Sequence, residues 1–322
     1  MKQLIKMSPD ERKIASEQLI QDLFINLRNK VNKWAALTHQ TCQARMGYIG
    51  QHLTSIVTGL PGSKTGARGD DLVHLDGKSH SEIKTCYRVD QLGECKHCHT
   101  KIAILDKKCP SCGSLDLIRK DDSKWLIGIP ATAFAEKEFN DLFRNQYFYF
   151  VLFEFEDLAN PETVIISIWE VSPRNKGFAY CMLDYYKNIW PKSKSHAPFN
   201  LWPYSLKFEL MEPLLIYRSK IDGKGVITTL CFPGITPAVP HKLSDLTKIP
   251  VDSSHKTALR NLAASYQIEC PLKVSVKQLL KLLQEYRVEN NIPDATFTNQ
   301  LRESIYMPHI SPFIDKLPKC KG

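Results

Sequence analysis

Two groups of residues in this chain have the types and spacing that chemistry requires. The first is Cys95-Lys96-His97-Cys98, followed after ten residues by Cys109-Pro110-Ser111-Cys112. Each Cys-x-x-Cys knuckle delivers two thiolates to one point. Two knuckles close a four-sulfur tetrahedron with no position left for water, so the metal it holds is structural. Zinc is favoured over iron, because short knuckles with Pro110 and Gly113 in their turns suit a zinc ribbon. His97 and His99 are alternative ligands by type alone, but four cysteines complete the site without them.

The second group is Gly69-Asp70-Asp71-Leu72 and, with ten residues intervening after Asp71, the triplet Glu82-Ile83-Lys84. Alternate side chains of a strand share a face, so Glu82 and Lys84 point together while Ile83 enters a core. A turn at Asp76-Gly77 folds Asp71 back beside them. Two carboxylates, with the Ile83 carbonyl as a further oxygen ligand, make a site for a hard octahedral cation such as magnesium. A lysine beside that cation orients the attacking water and supports charge developing on a phosphate, which is the chemistry of phosphodiester hydrolysis. The same string also occurs by chance on surface hairpins, so its context decides.

The elements that must position these groups are legible in outline. Ser8 caps a helix, Pro9 opens it and Glu11 completes a capping box; apolar residues from Leu19 to Trp34 at spacings of three and four carry it to about Leu37. A second helix covers about 40–57. Four glycines between Gly59 and Gly69 make a loop. Strands are expected at 72–75, 79–87 and 125–129, a helix at 131–145, and strands at 147–155 and 163–171 too apolar to be half exposed. Residues 173–204 mix aromatic and basic side chains. From about 240 the pattern is helical, at 255–266, 274–290 and 296–306.

The chain has 322 residues and a mass of 36.8 kDa, enough to bury a core without disulfide staples. Apolar residues at 43% and charged residues at 24% exclude disordered and fibrous classes. No apolar run reaches the roughly 18 residues of a membrane span, and the N-terminus lacks the apolar core of a signal peptide, so a soluble intracellular protein is expected. The net charge of +9 points toward a polyanionic partner. That charge is uneven: 125–172 holds two basic and eight acidic residues, whereas 173–224 holds nine and four. Gly59-Leu-Pro-Gly-Ser-Lys-Thr65 lacks the spacing of a phosphate-binding loop, so no nucleotide cofactor is expected.

The hairpin carrying Gly69-Asp70-Asp71 and Ser81-Glu82-Ile83-Lys84, set among these helices and strands, resembles the PD-(D/E)XK nuclease superfamily and specifically its type II restriction endonucleases. Residues 70–122, with the four-cysteine module just after the strand, look like restriction enzymes of the MamI kind. The resemblance implies a mixed α/β fold: a PD-(D/E)XK nuclease-like central sheet flanked by helices, an inserted zinc ribbon and a small helical C-terminal unit. It implies that Asp71 and Glu82, with Ile83, hold magnesium and that Lys84 is the catalytic lysine. Adjacent Asp70 and Asp71 leave the ligand ambiguous, Gly69 stands where the motif has proline, and Glu17 is the candidate for an assisting helix acid. Double-stranded DNA, a homodimer and a prokaryotic cytoplasm follow from the same resemblance.

The expected domains are a catalytic domain over 1–240, with the ribbon at about 90–120, and a helical unit over 241–322 for DNA binding or dimerisation. Lys96 and Lys101 of the ribbon and Arg174, Lys176, Lys192 and Lys194 are candidate phosphate contacts, although the aromatic residues among the latter suit core packing better. The rival from another class is a zinc-ribbon nucleic-acid-binding protein without catalysis. Within the nucleases, the rivals are methylation-directed, repair and junction-resolving enzymes.

Overall fold

A computed structural model describes residues 2–38, 46–63, 71–87, 92–103, 106–119, 124–158, 160–223, 225–231, 239–240, 253–293, 296–297 and 299–305. Asp70 and the loop residues 64–69 lie outside the described residues. After a short α1 (Lys2–Lys6), α2 (Pro9–Leu19) begins as its sequence dictates: the Glu11 N–H donates to the Ser8 hydroxyl at 3.2 Å and the Ser8 N–H to the Glu11 carboxylate at 2.7 Å. The expected single helix is interrupted. Ile20–Asn26 is π-helical before α3 (Leu27–Thr38), and the wider turn puts both Ile20 and Phe24 in the core, with Phe24 5.2 Å from the ring of Phe153.

Helix α4 (Met46–Thr58) is followed by a hairpin of β1 (Leu72–Val73) and β2 (His80–Tyr87). The turn between them is held by Asp76, whose carboxylate accepts the N–H groups of Lys78 and Ser79 and the Ser79 hydroxyl. Those bonds, Ser79 foremost, pull its carboxyl down to about 2. Three short strands, β3 (Gly93–Cys95), β4 (Lys101–Ile102) and β5 (Leu117–Ile118), pair antiparallel in the order β4-β3-β5. Then come β6 (Trp125–Ile127), α5 (Ala135–Leu142), β7 (Phe148–Asp157) and β8 (Asn160–Val171).

The chain continues through α6 (Lys176–Asp184), β9 (Phe199–Leu201), α7 (Leu206–Leu210), β10 (Leu214–Asp222), β11 (Gly225–Cys231) and β12 (Val239–Pro240). It ends, within the described residues, on α8 (Lys256–Ser265), α9 (Val276–Glu289) and helical turns at 296–297 and 299–305. The central sheet runs β1-β2-β7-β8-β10-β11, with β12 against β10. Among the described residues, only the β2–β7 pairing of this sheet is parallel. This is the mixed α/β sheet flanked by helices that the sequence leads one to expect.

Strand β7 explains why its sequence reads as a continuous apolar run. Tyr149, Val151 and Phe153 face a core shared with α4 and the π-helical turn, whereas Phe148, Phe150 and Leu152 face a second core built from β6, α5, α6 and α7. In that second core Trp125 packs on Phe150, Trp169 and Phe208, and its indole N–H donates to the Val151 carbonyl at 2.8 Å. Leu259, Leu279, Leu283 and Leu301 from the C-terminal helices join the same cluster.

Glycine sets the closest approach between α4 and the sheet. A Cβ at Gly50 would stand 2.0 Å from the Thr85 hydroxyl, whereas one at Gly47, a turn earlier, would meet nothing. Gly50→Ala is therefore expected to lower stability by about 1–3 kcal/mol. Gly47→Ala should be neutral or raise it by up to about 1 kcal/mol. Urea unfolding of both variants checks the contrast.

Candidate active site and metal centre

The hairpin register places Leu72 opposite Ser81 and Val73 opposite His80, so Asp71 enters the hairpin beside Glu82. Strand β2 alternates as its composition requires. Ile83 is buried in the core on the α4 side, while Glu82 and Lys84 line a cleft of about 900 Å³ on the other. Glu82 is 9% exposed, and its carboxylate accepts from the Lys84 ammonium at 2.5 Å. The two side chains thus form an ion pair in the wall of the cleft.

Asp71 is turned differently. One carboxylate oxygen accepts the Ile83 N–H at 2.8 Å and the other the amide of Gln51 on α4 at 2.6 Å. The structure thus brings Asp71, Glu82, Ile83 and Lys84 to one end of β2, but it is Glu82 and Lys84, not Asp71, that line the cleft. Below them the Ser81 hydroxyl sits 2.8 Å from His74 Nε2 and accepts the Tyr147 N–H at 3.2 Å, tying the hairpin to β7. Burial, outweighing nearby Asp76, holds the His74 imidazole below its ordinary value and so favours the neutral ring.

The structure does not bring Glu17 to this cleft. Its carboxylate accepts the Thr228 N–H of β11 at 3.1 Å, four strands away from β2. Conversely, the cleft contains residues that motif reasoning passed over: His80 on β2; Lys137, Glu138, Asp141 and Arg144 on or just after α5; and His196. His80 was within reach of the sequence, since 80, 82 and 84 alternate on one face. The α5 residues and His196 converge only through the tertiary fold.

The four-cysteine group is a formed site. Cys95, Cys98, Cys109 and Cys112 place all their sulfurs within 4.8 Å of one another, with Cys95 to Cys112 at 3.6 Å and Cys98 to Cys109 at 3.5 Å. A zinc–sulfur tetrahedron with bonds of about 2.3 Å has edges of about 3.8 Å, so the four thiolates could hold zinc with little movement. Both knuckles have one backbone design. The residue after the second cysteine is left-handed, His99 at φ 57° and Gly113 at φ 75°, and its N–H donates to the carbonyl of the first cysteine at 3.0 and 2.9 Å. His99 is exposed beside Glu94 and is no ligand in this arrangement.

The candidate phosphate contacts divide. In the ribbon Lys96 is paired with Asp116 at 2.6 Å, Lys101 with Glu94, and Lys107 with Glu162 of β8 at 3.0 Å. Arg174 donates to the Phe143 carbonyl and is half-buried. Lys176, Lys192 and Lys194 are exposed, as a backbone contact requires. The aromatic residues around them are largely core: Phe178, Tyr185 and Phe199 are buried. Among the described residues no helix is long and apolar enough to cross a membrane.

Purified protein is expected to carry one zinc per chain, and Cys112→Ser to lose it together with a lower unfolding temperature. Metal analysis beside thermal denaturation checks this; a stable, metal-free wild type would contradict it.

Comparison with known proteins adds what geometry alone does not. Residues 33–247 match the MamI restriction endonuclease family model. The type II restriction enzyme MamI of Microbacterium ammoniaphilum is 29% identical over 168 residues, which is 52% of this chain and 47% of that enzyme. The chain thus spans about half the length of the curated relative it matches. No solved structure matches. With the family model covering most of the chain, including the β1–β2 hairpin, the four cysteines and the central sheet, this protein belongs to the MamI restriction endonuclease family.

Proposed function

We propose that this chain is a type II restriction endonuclease that cleaves double-stranded DNA with magnesium, at the site formed by Asp71, Glu82, Ile83 and Lys84. The observation that carries the reading is the placement of Glu82 and Lys84 on one face of β2 in the wall of the cleft, with Asp71 beside them. Two carboxylates beside a strand carbonyl are an oxygen donor set that suits a hard cation. The cleft's charge also favours one. Glu82, Glu138 and Asp141 balance Lys84, Lys137 and Arg144, so a phosphodiester gains little net attraction until a divalent cation joins the carboxylates.

Asp71, Glu82 and the Ile83 carbonyl would hold the magnesium, and the chemistry it would supply is polarisation of the phosphate and a more acidic attacking water. The chain's own residues do the rest. Asp71, anchored by Gln51 and the Ile83 N–H, fixes the start of β1 against β2. Lys84 orients the nucleophile and supports charge on the phosphate, and Glu82 keeps the ammonium in place. Lys176, Lys192 and Lys194 are backbone contacts in this reading, and the ribbon, in which Lys96, Lys101 and Lys107 are paired with acids, has a structural rather than a DNA-reading role. A homodimer meets the two-fold symmetry of a palindromic site.

Digestion of unmethylated phage DNA is expected to give discrete bands with magnesium and none with EDTA. Lys84→Ala should lower the cleavage rate by about 10²–10⁴-fold with DNA binding retained. Full cleavage by Lys84→Ala would contradict the assignment. Binding without any cutting by the wild type would favour a DNA-binding protein without catalysis.

A further inference from the structure

His196 shares the cleft with Glu82 and Lys84 but comes from a different part of the chain, the turn that leads into β9. Strand β9 pairs with β6, Phe199 opposite Ile127, and Ile127 with the residues after it lines the same cleft. The His196 backbone is left-handed at φ 43°, a conformation that a residue with a Cβ keeps only where its surroundings over-determine it, and such residues concentrate at functional sites.

The imidazole is fixed as well. Its ring packs on Trp190 with centroids 4.5 Å apart; Trp190 packs on Tyr186 at 5.6 Å, and Tyr186 stacks on Phe139 of α5 at 4.1 Å. Nδ1 lies 3.2 Å from the Trp190 carbonyl oxygen. A carbonyl can only accept, so Nδ1 carries a proton and donates, which commits the chemistry of the ring to Nε2. With Nδ1 donating, Nε2 is a donor as well only in the imidazolium, the form whose charge complements a phosphate. Lys192 and Lys194, exposed in the same turn, add charge of the same sign.

We infer that His196 is a positioning residue for DNA, donating from Nε2 to a phosphate oxygen of the strand held in the cleft. The inference rests on the endonuclease reading and adds a contact that neither the motif nor the family match names. Asparagine and glutamine separate its two ends, because an asparagine amide can replace Nδ1 on the Trp190 carbonyl without reaching the Nε2 position, whereas a glutamine amide reaches it.

The test is binding of a short duplex spanning a mapped cut site, with calcium in place of magnesium so that no cleavage occurs. His196→Asn is expected to bind about tenfold more weakly and His196→Gln to stay near wild type, with unchanged urea midpoints for both. The reverse order, or two variants that bind like wild type, would overturn the inference. Should either variant fold poorly, nitrogen NMR of histidine-labelled wild type decides: the His196 ring signal should move when the duplex is added, and an unmoved signal overturns it. A wild type that neither binds nor cuts DNA would instead remove the endonuclease reading itself.

Discussion

Strand β2 runs parallel to β7, Glu82 opposite Phe148, and parallel neighbours cannot be joined by a tight turn. The chain from Tyr87 to Phe148 must therefore cross the sheet, and what it builds on the way is most of the candidate site. The crossover contains the four-cysteine ribbon, β6 and α5. Strand β6 and helix α5 then supply much of the wall that encloses Glu82 and Lys84. An antiparallel β2–β7 pair would need no crossover and would leave the two residues on an open sheet face.

The same strand has an exposed edge on its other side. Among the described residues, β1 pairs with β2 only at Ser81 and His80, so from Glu82 onward no described strand lies beside that edge. Asp71 substitutes for the missing partner, taking the Ile83 N–H on its carboxylate while Gln51 holds it from α4. One residue thus leads into β1, satisfies an edge amide and keeps a carboxylate next to Glu82. Gly50, one residue before Gln51, lets α4 come close enough for that bond.

Much of this was written in local patterns. The Ser8–Glu11 box, the Asp76 turn, the alternation of Glu82 and Lys84 around Ile83, and the two cysteine knuckles depend on neighbours a few residues away, and the structure forms each of them. The π-helical turn at Ile20–Asn26 was not legible, because a wider turn preserves the apolar repeat that signals an ordinary helix. Strands β10 and β11 were hidden by Arg218, Lys220 and a turn-rich approach, and they are recognisable only as partners of β8. The cleft residues of α5 and His196 share no motif with β2; only the crossover brings them together. Glu17, chosen for its place on an early helix, meets β11 because the sheet extends four strands beyond β2.

The proposed function stands on a divalent-cation site formed by Asp71, Glu82 and the Ile83 carbonyl at the edge of the cleft, with Glu82 in its wall. Manganese anomalous scattering from crystals of the wild-type protein tests it most directly. The account requires a peak bounded by those three residues that disappears in Glu82→Gln. Crystals equilibrated with manganese that show no peak there, or a peak that persists without the Glu82 carboxylate, would contradict it.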